Sequence, residues 1–232
     1  MSSTFPAQIS IIIPSWNEAE DIATTLSALQ HLRDKSVEII VADGGSRDPT
    51  VALAQPLVDL LIHTGRGRAQ QMNAGAGRAN GNILLFLHAD TRLPEHAHQL
   101  VAEGLAKTGR GWGRFDVRLS GRHPLLRLVE RMMNWRSRWS GIATGDQALF
   151  VRRDWFENVG GFPVLPLMED IALSRKLKRM GMPLCLHERV TTSSRRWERN
   201  GILRTILLMW RLRLAYALGA DPQRLADKYY KS

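Results

Sequence analysis

The stretch QISIIIPSWNE, residues 8–18, passes from an apolar run into Pro, Trp, Asn and Glu within five residues. Its Ile-rich part is typical of a strand that is buried on both faces, and it predicts a first strand over 10–14. In open α/β sheets, ligands bind at the carboxyl ends of the strands. The polar group that follows this strand therefore marks the first place to look for a functional site.

The same alternation of apolar strand, polar corner and helix continues along the chain. Apolar residues at helical spacing (Ile22, Leu26, Leu29, Leu32) follow the first strand, and VEIIVAD, residues 37–43, predicts a second strand parallel to it. Similar signals predict strands at 60–63, 82–90, 109–119 and 147–153, and helices from about Thr50, over 68–79, over 124–139 and from about 167. The pattern predicts an α/β fold with a central, mostly parallel mixed sheet flanked by helices.

Composition limits the class of protein and of partner. The chain has 232 residues, and 44% of them are hydrophobic, which suits one globular unit. A formal charge of +10, from 32 Lys and Arg against 22 Asp and Glu, favours anionic partners such as nucleotides, nucleic acid or acidic lipids. The only cysteine, Cys185, excludes an internal disulfide, and we expect a buried thiol in a reducing compartment.

The two ends of the chain bear on its location. MSSTFPAQIS lacks a basic region followed by a long apolar segment, so we expect no secretory signal and a cytoplasmic protein. The apolar tract from Ile202 to Leu218 contains Arg204, Arg211 and Arg213, which argues against a membrane-spanning helix. This tract and the basic helix over 124–139 leave open a peripheral contact with the inner face of a membrane.

The helix over 124–139 has its own predicted orientation. Leu125, Leu128, Val129, Met132 and Trp135 recur at helical spacing, which predicts that they form the packed face of the helix while its arginines face solvent. Tryptophans on amphipathic helices more often pack in cores than bind sugars, so we assign no binding role to Trp112, Trp135 or Trp139.

Three acidic corners stand at the ends of predicted strands or the start of a predicted helix: Asp43, Asp90 and the pair Glu169–Asp170. Such carboxylates can accept hydrogen bonds from a nucleoside or bind a divalent ion beside phosphates. Each also has a purely structural alternative. Asp43 suits an Asx turn, Asp90 suits a turn before Pro94, and acidic residues stabilise the start of a helix.

Five motifs in order resemble those of the family 2 glycosyltransferases, which have the GT-A fold. They are Pro14-Ser-Trp-Asn17-Glu18, Asp43-Gly44-Gly45-Ser46-Arg-Asp48, His88-Ala89-Asp90, Glu169-Asp170 and Arg196-Trp197, and together they span most of residues 9–200. Each motif is weak alone, whereas the ordered set is specific. The resemblance implies a GT-A fold with a Rossmann-like nucleotide-binding half, and transfer of a sugar from a nucleotide diphosphate sugar with inversion.

The resemblance also implies roles for individual residues. Pro14, Asn17, Glu18, Asp43 and Gly44 would hold the donor nucleoside. Asp90 would meet a divalent ion, Mn²⁺ or Mg²⁺, on the diphosphate, and Asp170 would be the general base. An inverting transfer needs a carboxylate to accept the proton of the acceptor hydroxyl, and a metal offsets the charge on the leaving diphosphate.

Two motifs depart from the family pattern. The usual metal motif is Asp-x-Asp, but His88 stands in its first position; we keep His88 as a candidate metal ligand, with a buried, hydrogen-bonded histidine as the alternative. Processive relatives carry Gln-x-x-Arg-Trp, whereas Ser193 occupies the Gln position here. We therefore expect non-processive transfer of a single sugar, with Trp197 on the acceptor side or, alternatively, in the core.

Further candidates come from the segment TGRGRAQQMNAGAGRANGN, which predicts an anion site at a helix start with Arg66 or Arg68 on the diphosphate. Gln70 replaces the third Gly of a dinucleotide motif, which excludes a Rossmann dehydrogenase. This segment resembles a subset of small bacterial family 2 enzymes, some of them assigned to arsenosugar pathways. Asp146, before the strand ALFVRR, and Glu169 are further acceptor-side candidates, with a turn aspartate as the alternative for Asp146.

The predicted organisation is a single domain over 1–200, with a nucleotide-binding half at 1–92 and an acceptor half at 93–200, and a basic helical appendage at 201–232. We expect a nucleotide-sugar donor, a UDP-sugar in preference, and no nucleic-acid partner, because nucleic-acid binding explains the charge but not the acidic corners. The acceptor and the oligomeric state are not indicated. Two alternatives stay open: a nucleotidyltransferase that uses an NTP, and a non-catalytic basic module that binds nucleotides or membranes.

Overall fold

The computed structural model describes residues 8–33 and 35–230. Within these ranges the strands are β1 (Ile9–Ser15), β2 (Val37–Asp43), β3 (Leu60–His63), β4 (Ile83–Phe86), β5 (Thr91–Arg92), β6 (Trp112–Leu119), β7 (Phe150–Arg152) and β8 (Leu184–Thr192). The helices are α1 (Ile22–Arg33), α2 (Thr50–Ala54), α3 (Arg68–Arg78), α4 (Ala97–Thr108), α5 (Pro124–Ser140), α6 (Arg153–Asn158), α7 (Glu169–Met180), α8 (Arg195–Asn200), α9 (Ile202–Ala217) and α10 (Pro222–Tyr230).

The described strands form one mixed sheet in the order β3-β2-β1-β4-β7-β6-β8-β5. β1 pairs in parallel with β2 and with β4, and β2 pairs in parallel with β3, as the strand and helix alternation predicts. β7 runs antiparallel to β4 and to β6. The register of β1 against β2 ends with Ser15 opposite Asp43, so the polar corners after these two strands lie side by side.

Two predicted strands are wrong at one end. The strand predicted over 82–90 ends at Phe86, and the chain then turns, with the Thr91 N–H donating to the His88 carbonyl. The strand predicted over 147–153 is reduced to β7, because Gly145–Gln147 forms a 3₁₀ turn. The first correction places His88 and Asp90 in a loop after β4, and the 3₁₀ turn before β7 contains Asp146.

The sheet separates two layers of core, because successive side chains of β1 point to opposite faces. Ile11 and Ile13 lie in one apolar cluster together with side chains of α1, α4 and α5. Ile12 lies in the other, with side chains of α3, α6 and α7. Cys185 of β8 is only partly buried, so the predicted buried thiol is wrong.

A buried ion-pair network lies on β6. Arg114, fully buried, contacts the carboxylate of Asp116 and donates to the Asn134 carbonyl at 3.2 Å. Arg138 of α5 donates to both Asp116 oxygens, at 2.9 and 3.0 Å. Asp116 therefore compensates a guanidinium that water does not reach.

The C-terminal helices pack on the start of α7. Leu212 of α9 and Leu225 and Ala226 of α10 form a small apolar cluster with Leu167, Met168 and Ile171. The sheet contains strands from both predicted halves of the domain. The predicted division into 1–92, 93–200 and 201–232 therefore stays a prediction. Each described helix is too short or too polar to traverse a bilayer.

The predicted packed face of α5 is right at Val129 and wrong at Leu128, Met132 and Trp135. The buried residues of this helix are Leu126, Val129, Glu130, Met133 and Ser137. Leu128, Met132 and Trp135 are instead exposed, and Trp135 stacks on the exposed Trp139 with a centroid distance of 6.3 Å. Apolar residues occupy both faces of this helix, so periodicity alone does not decide which face packs.

Candidate active site

The corner after β1 and β2 is held by hydrogen bonds between its own loops. The buried Asp43 carboxylate accepts from the N–H groups of Gly45 and Ser46 at 2.9 Å each, which is the Asx turn that the sequence left as an alternative. Asn17, with a φ of 54°, accepts from the Arg47 N–H at 2.8 Å through Oδ1. Asp43 thereby shapes the loop after β2, and Asn17 ties the loop after β1 to it; direct contact of either residue with a nucleoside stays a prediction.

A buried glutamine that the sequence analysis missed supports this corner. Gln71 of α3 donates to the carbonyls of Ser15 and Ala42 at 2.6 and 2.8 Å. A Cβ at Gly44 would lie 3.1 Å from the Gln71 side-chain amide, so glycine lets the turn pass close to it. Pro14 is buried within β1. Gly44 therefore allows the turn to approach Gln71 closely, and Pro14 forms part of the buried base of the corner.

The same corner presents an exposed aromatic surface that the sequence analysis assigned to no role. The Arg66 guanidinium lies 3.6 Å from the centroid of the Trp16 ring, and Trp16 is exposed. Such a cation–π contact orders both side chains at the rim of the corner. The signal in the sequence was a tryptophan directly after a buried strand.

Glu18 and Asp90 form an acidic pair next to Arg68. Burial, and then the negative charge of Asp90, raise the pKa of Glu18, while the charge of Arg68 opposes this shift. The Asp90 carboxylate also lies within 3.3–3.4 Å of the hydroxyls of Thr91 and Thr192. The structure thus brings together two acids and one arginine that the sequence analysis proposed for the donor.

An open cleft lies next to this acidic pair, because Arg68 and His88, whose charges act on Glu18, line it. Its walls come from α3, from the loops after β4 and before β7, from the start of α7, and from the C-terminal helices. They are lined by Arg68, His88, Thr144, Gly145, Asp146, Leu167, Met168, Glu169, Asp170, Ile171, Met209, Arg213 and Tyr229. Five predicted site residues, Arg68, His88, Asp146, Glu169 and Asp170, therefore share one cleft.

Asp170 is held rigidly in this cleft by two backbone groups. Its Oδ2 accepts from the Gly145 N–H at 2.8 Å, and its Oδ1 accepts from the Ile171 N–H at 2.7 Å. The neighbouring Glu169 is buried, and burial followed by the charge of Asp170 raises its pKa. Glu169 and Asp170 thus differ in environment, and Asp170 is the one whose orientation the loop before β7 fixes.

His88 and Asp146 form an ion pair in the cleft, with Nδ1 of His88 3.5 Å from Oδ1 of Asp146. Burial opposes charge on both side chains, but their hydrogen bond and opposite charges outweigh it. The pKa of His88 is raised and the pKa of Asp146 is lowered. A Cβ at Gly145 would lie 2.4 Å from His88 Nε2, so both ring nitrogens face protein.

The glycine beside His88 gives a first testable prediction. Gly145→Ala forces the imidazole away from Asp146, and we expect the free energy of unfolding to fall by about 1–3 kcal/mol through overpacking. Gly77→Ala is the control, because a Cβ there meets nothing within 4 Å and α3 continues through it. The control should gain about 0.5–1 kcal/mol. Equal effects of the two substitutions in chemical denaturation would contradict this packing.

Residues of the C-terminal helices complete the cleft, which the sequence analysis did not predict. Burial lowers the pKa of Arg213 on α9, and the negative charges of Asp170 and Asp146 oppose this shift. Burial and the charge of Arg213 lower the pKa of Arg136 to about 10. Nothing in the sequence distinguishes Arg213 from Arg204 and Arg211, the other arginines of the same tract.

The Arg196–Trp197 motif lies outside the cleft. Arg196 donates to the Tyr229 carbonyl at 2.7 Å and lies 3.5 Å from the centroid of its ring, which holds α10 in place. Trp197 packs against the main core and does not line the cleft. The structure therefore supports the core alternative for Trp197 over its predicted acceptor-side position.

Similarity to known proteins agrees with this arrangement. The chain is 27% identical over 237 residues to a probable glycosyltransferase, YdaM, of Bacillus subtilis; the match covers 91% of this chain and 55% of that protein. The fold is shared with S. aureus TarS in complex with UDP, with a TM-score of 0.66, 17% identity, and coverage of 80% of this chain and 60% of the other. It is shared as well with the mannosyltransferase PcManGT of Pyrobaculum calidifontis in complex with GDP-Man and Mn²⁺, with a TM-score of 0.65, 23% identity, and coverage of 91% and 62%.

These likenesses confirm the predicted fold class. The mixed sheet flanked by helices is that of GT-A glycosyltransferases. The chain spans less than two thirds of the length of each of these three proteins. None of the three carries an arsenosugar name, so that narrower resemblance stays a prediction.

The sequence model of the glycosyl transferase family 2 matches residues 10–160, more than half of the chain. With its ordered motifs, its GT-A sheet and this match, the chain belongs to glycosyl transferase family 2.

Proposed function

We propose that the protein transfers a single sugar from a nucleotide diphosphate sugar to an acceptor hydroxyl, with inversion and without processivity. The observation that carries the proposal is the cleft in which Asp170, fixed by the N–H groups of Gly145 and Ile171, lies with Arg68 in a family 2 chain. A rigidly held carboxylate beside an open cleft suits a general base, since proton transfer depends on geometry first.

The donor would occupy the corner after β1 and β2. Asn17, Asp43, Gly44 and the buried Pro14 shape this corner, and the exposed Trp16 ring offers an apolar surface for a base at its rim. Burial raises the pKa of Glu18, and Arg68 both interacts with the Glu18 charge and lines the cleft, where a diphosphate would meet a positive charge. The related structures hold UDP in one case and GDP-Man in another. We favour a UDP-sugar.

The carboxylates of Glu18 and Asp90 suit a divalent ion that the phosphates of the substrate also bind. Across the described residues, His, Cys, Asp and Glu side chains form no group of three that could hold a metal. Mg²⁺ in nucleotide enzymes is usually bound by one or two carboxylates and by substrate phosphates, and Asp90 beside Glu18 supplies such oxygens. Bound there, Mn²⁺ or Mg²⁺ would offset charge on the leaving diphosphate. The Mn²⁺ in the PcManGT complex supports this assignment.

His88 is better suited to positioning than to metal binding. Its two ring nitrogens face Asp146 and Gly145, so neither is directed toward Asp90 and the donor corner. We therefore propose Asp90 as the metal ligand of the His-Ala-Asp motif. His88 would hold Asp146 in place on the acceptor side of the cleft, next to Glu169.

The family match favours sugar transfer over the two alternatives, a nucleotidyltransferase and a non-catalytic basic module. We keep the cytoplasmic location, the contact of the basic helices with a membrane surface and the absence of a nucleic-acid partner as proposals. The acceptor itself is defined here only as a hydroxyl compound that enters the cleft beside Asp170.

Product analysis separates these functions directly. The full chain is incubated with Mn²⁺ and acceptor extracts in parallel reactions, each of which contains a UDP-sugar, a GDP-sugar or the matching NTP. We expect release of nucleoside diphosphate from a nucleotide sugar and no pyrophosphate from any NTP. Pyrophosphate release would assign the protein to the nucleotidyltransferases. If neither product forms with any donor, while Mn²⁺ and acceptor extracts are present, the proposed transfer is refuted.

A further inference from the structure

Two adjacent helices expose continuous apolar stripes to solvent. On α5, Leu128, Met132, Trp135 and Trp139 are exposed, the two tryptophans by 70% and 78%. On α9, Leu203, Leu207, Trp210 and Leu214 are exposed by 61–65%. Both sets follow the spacing i, i+4, i+7, i+11, so each set lies along one side of its helix. Large side chains in this number and continuity are unusual on the surface of a soluble domain.

The two stripes belong to one surface, which we call the α5–α9 face. The helices contact each other, and each packs its opposite side inward, through Leu126 and Met133 on α5 and through Thr205 and Leu212 on α9. The stacked Trp135 and Trp139 rings are nearly parallel, with an interplanar angle of 4°. The described residues that bury the inner sides thus leave the outer sides without a covering element.

Basic side chains border this face. The exposed Arg131 on α5 and the exposed Arg204 and Arg211 on α9 lie beside the apolar stripes. On α9 the described sequence contains no acidic residue, and the only acid of α5, Glu130, is buried against Arg127. The face is therefore apolar at its centre and positive at its edges.

We propose that the α5–α9 face docks on the surface of an anionic lipid bilayer. An apolar face with basic flanks gains from burial among acyl chains and from attraction to anionic headgroups. A second copy of the chain is a poorer occupant, because a two-fold contact would bring this arginine-bordered face against itself. The inference gives the membrane contact in the proposed function a defined surface.

The position of the cleft agrees with this docking. Met209 and Arg213 of α9 line the cleft, while Trp210 and Leu214 of the same helix belong to the exposed stripe. Helix α9 therefore carries the exposed apolar stripe on one side and forms part of the cleft wall with the adjacent side. Since a helix with its side chains is about 10–12 Å across, docking would bring the cleft close to the headgroups.

Sedimentation with vesicles tests the proposal on the full chain. The probes are phosphatidylcholine vesicles with and without about 30 mol% phosphatidylglycerol, near physiological salt. We expect binding to the anionic vesicles, and we expect Trp135→Ser combined with Trp210→Ser to weaken it by about ten-fold or more. The control combines Leu53→Ser with Val164→Ser, two exposed apolar residues outside α5 and α9, and should bind like the unaltered protein.

A charge pair and two further readouts complete the design. Arg204→Gln with Arg211→Gln should weaken binding to anionic vesicles, whereas the exposed pair Arg78→Gln with Arg179→Gln should change it less than about two-fold. UDP titration in the absence of vesicles should be unchanged in the tryptophan variant, so that failure of docking and failure of sugar transfer are distinguished. Two results would overturn the proposal. One is the absence of vesicle binding by the unaltered chain. The other is a dimer, detected by light scattering, that becomes a monomer in the tryptophan variant while that variant still binds vesicles.

Discussion

Asp170→Asn is expected to lower kcat by about 100- to 10,000-fold, which is the usual contribution of a positioned general base. The asparagine oxygen can still accept the Gly145 N–H, which keeps the loop before β7 in place, although the amide nitrogen cannot accept the Ile171 N–H as Oδ1 of Asp170 does. We therefore expect the dissociation constant of the donor nucleotide to change by less than about three-fold, since the interaction is needed only in the transition state.

The matched control for this substitution is Asp154→Asn. Asp154 is exposed and pairs with Arg152 at 2.7 Å, away from the residues that line the cleft. It should leave both kcat and nucleotide binding unchanged. Steady-state kinetics combined with calorimetry separate the two effects. If Asp170→Asn keeps full turnover, Asp170 is not the base; if it loses nucleotide binding instead, its role is in holding the donor.

Asp116→Ala is expected to lower the free energy of unfolding by about 3–5 kcal/mol, because it leaves a buried guanidinium without its counter-charge. Arg114 is fully buried and contacts Asp116, and Arg138 donates to the same carboxylate. Water has no access to replace the lost partner. Chemical denaturation monitored by tryptophan fluorescence measures the change.

Two controls separate charge from packing in this experiment. Asp154→Ala removes one partner of an exposed ion pair, and it should cost less than about 1 kcal/mol. Combining Arg114→Met with Asp116→Leu removes both buried charges and should recover much of the loss. A small effect of Asp116→Ala alone, or an equally large effect of the double replacement, would show that the pair does not stabilise the fold through its charges.

The corner after β1 and β2 was predicted from the sequence more completely than the rest of the site, and the reason is physical. Parallel strands buried on both faces read as apolar runs, and their carboxyl ends fall at the same edge of the sheet. QISIIIPSWNE and VEIIVAD therefore located β1, β2 and their polar corners. The supporting Gln71 escaped notice because its partners, the carbonyls of Ser15 and Ala42, are defined only by the folded backbone.

The acceptor side was less open to prediction. His88 and Asp146 form an ion pair across 58 positions of sequence, and neither residue signals the other. Arg213 reaches Asp170 only because α9 packs on the start of α7 through Leu212. The orientation of α5 was wrong because apolar residues stand on both of its sides, and the choice between them depends on what the neighbouring strands cover.

We propose that the corner and cleft at the carboxyl edge of the sheet bind a nucleoside diphosphate with a divalent ion on Asp90. Calorimetric titration of the full chain with UDP and with GDP, each in Mn²⁺ and in EDTA and repeated on Asp90→Ala, tests it most directly. We expect saturable binding of one nucleotide, UDP in preference, that EDTA or the substitution weakens at least about ten-fold. Binding of neither nucleotide, or binding that is indifferent to both the metal and Asp90, would contradict it.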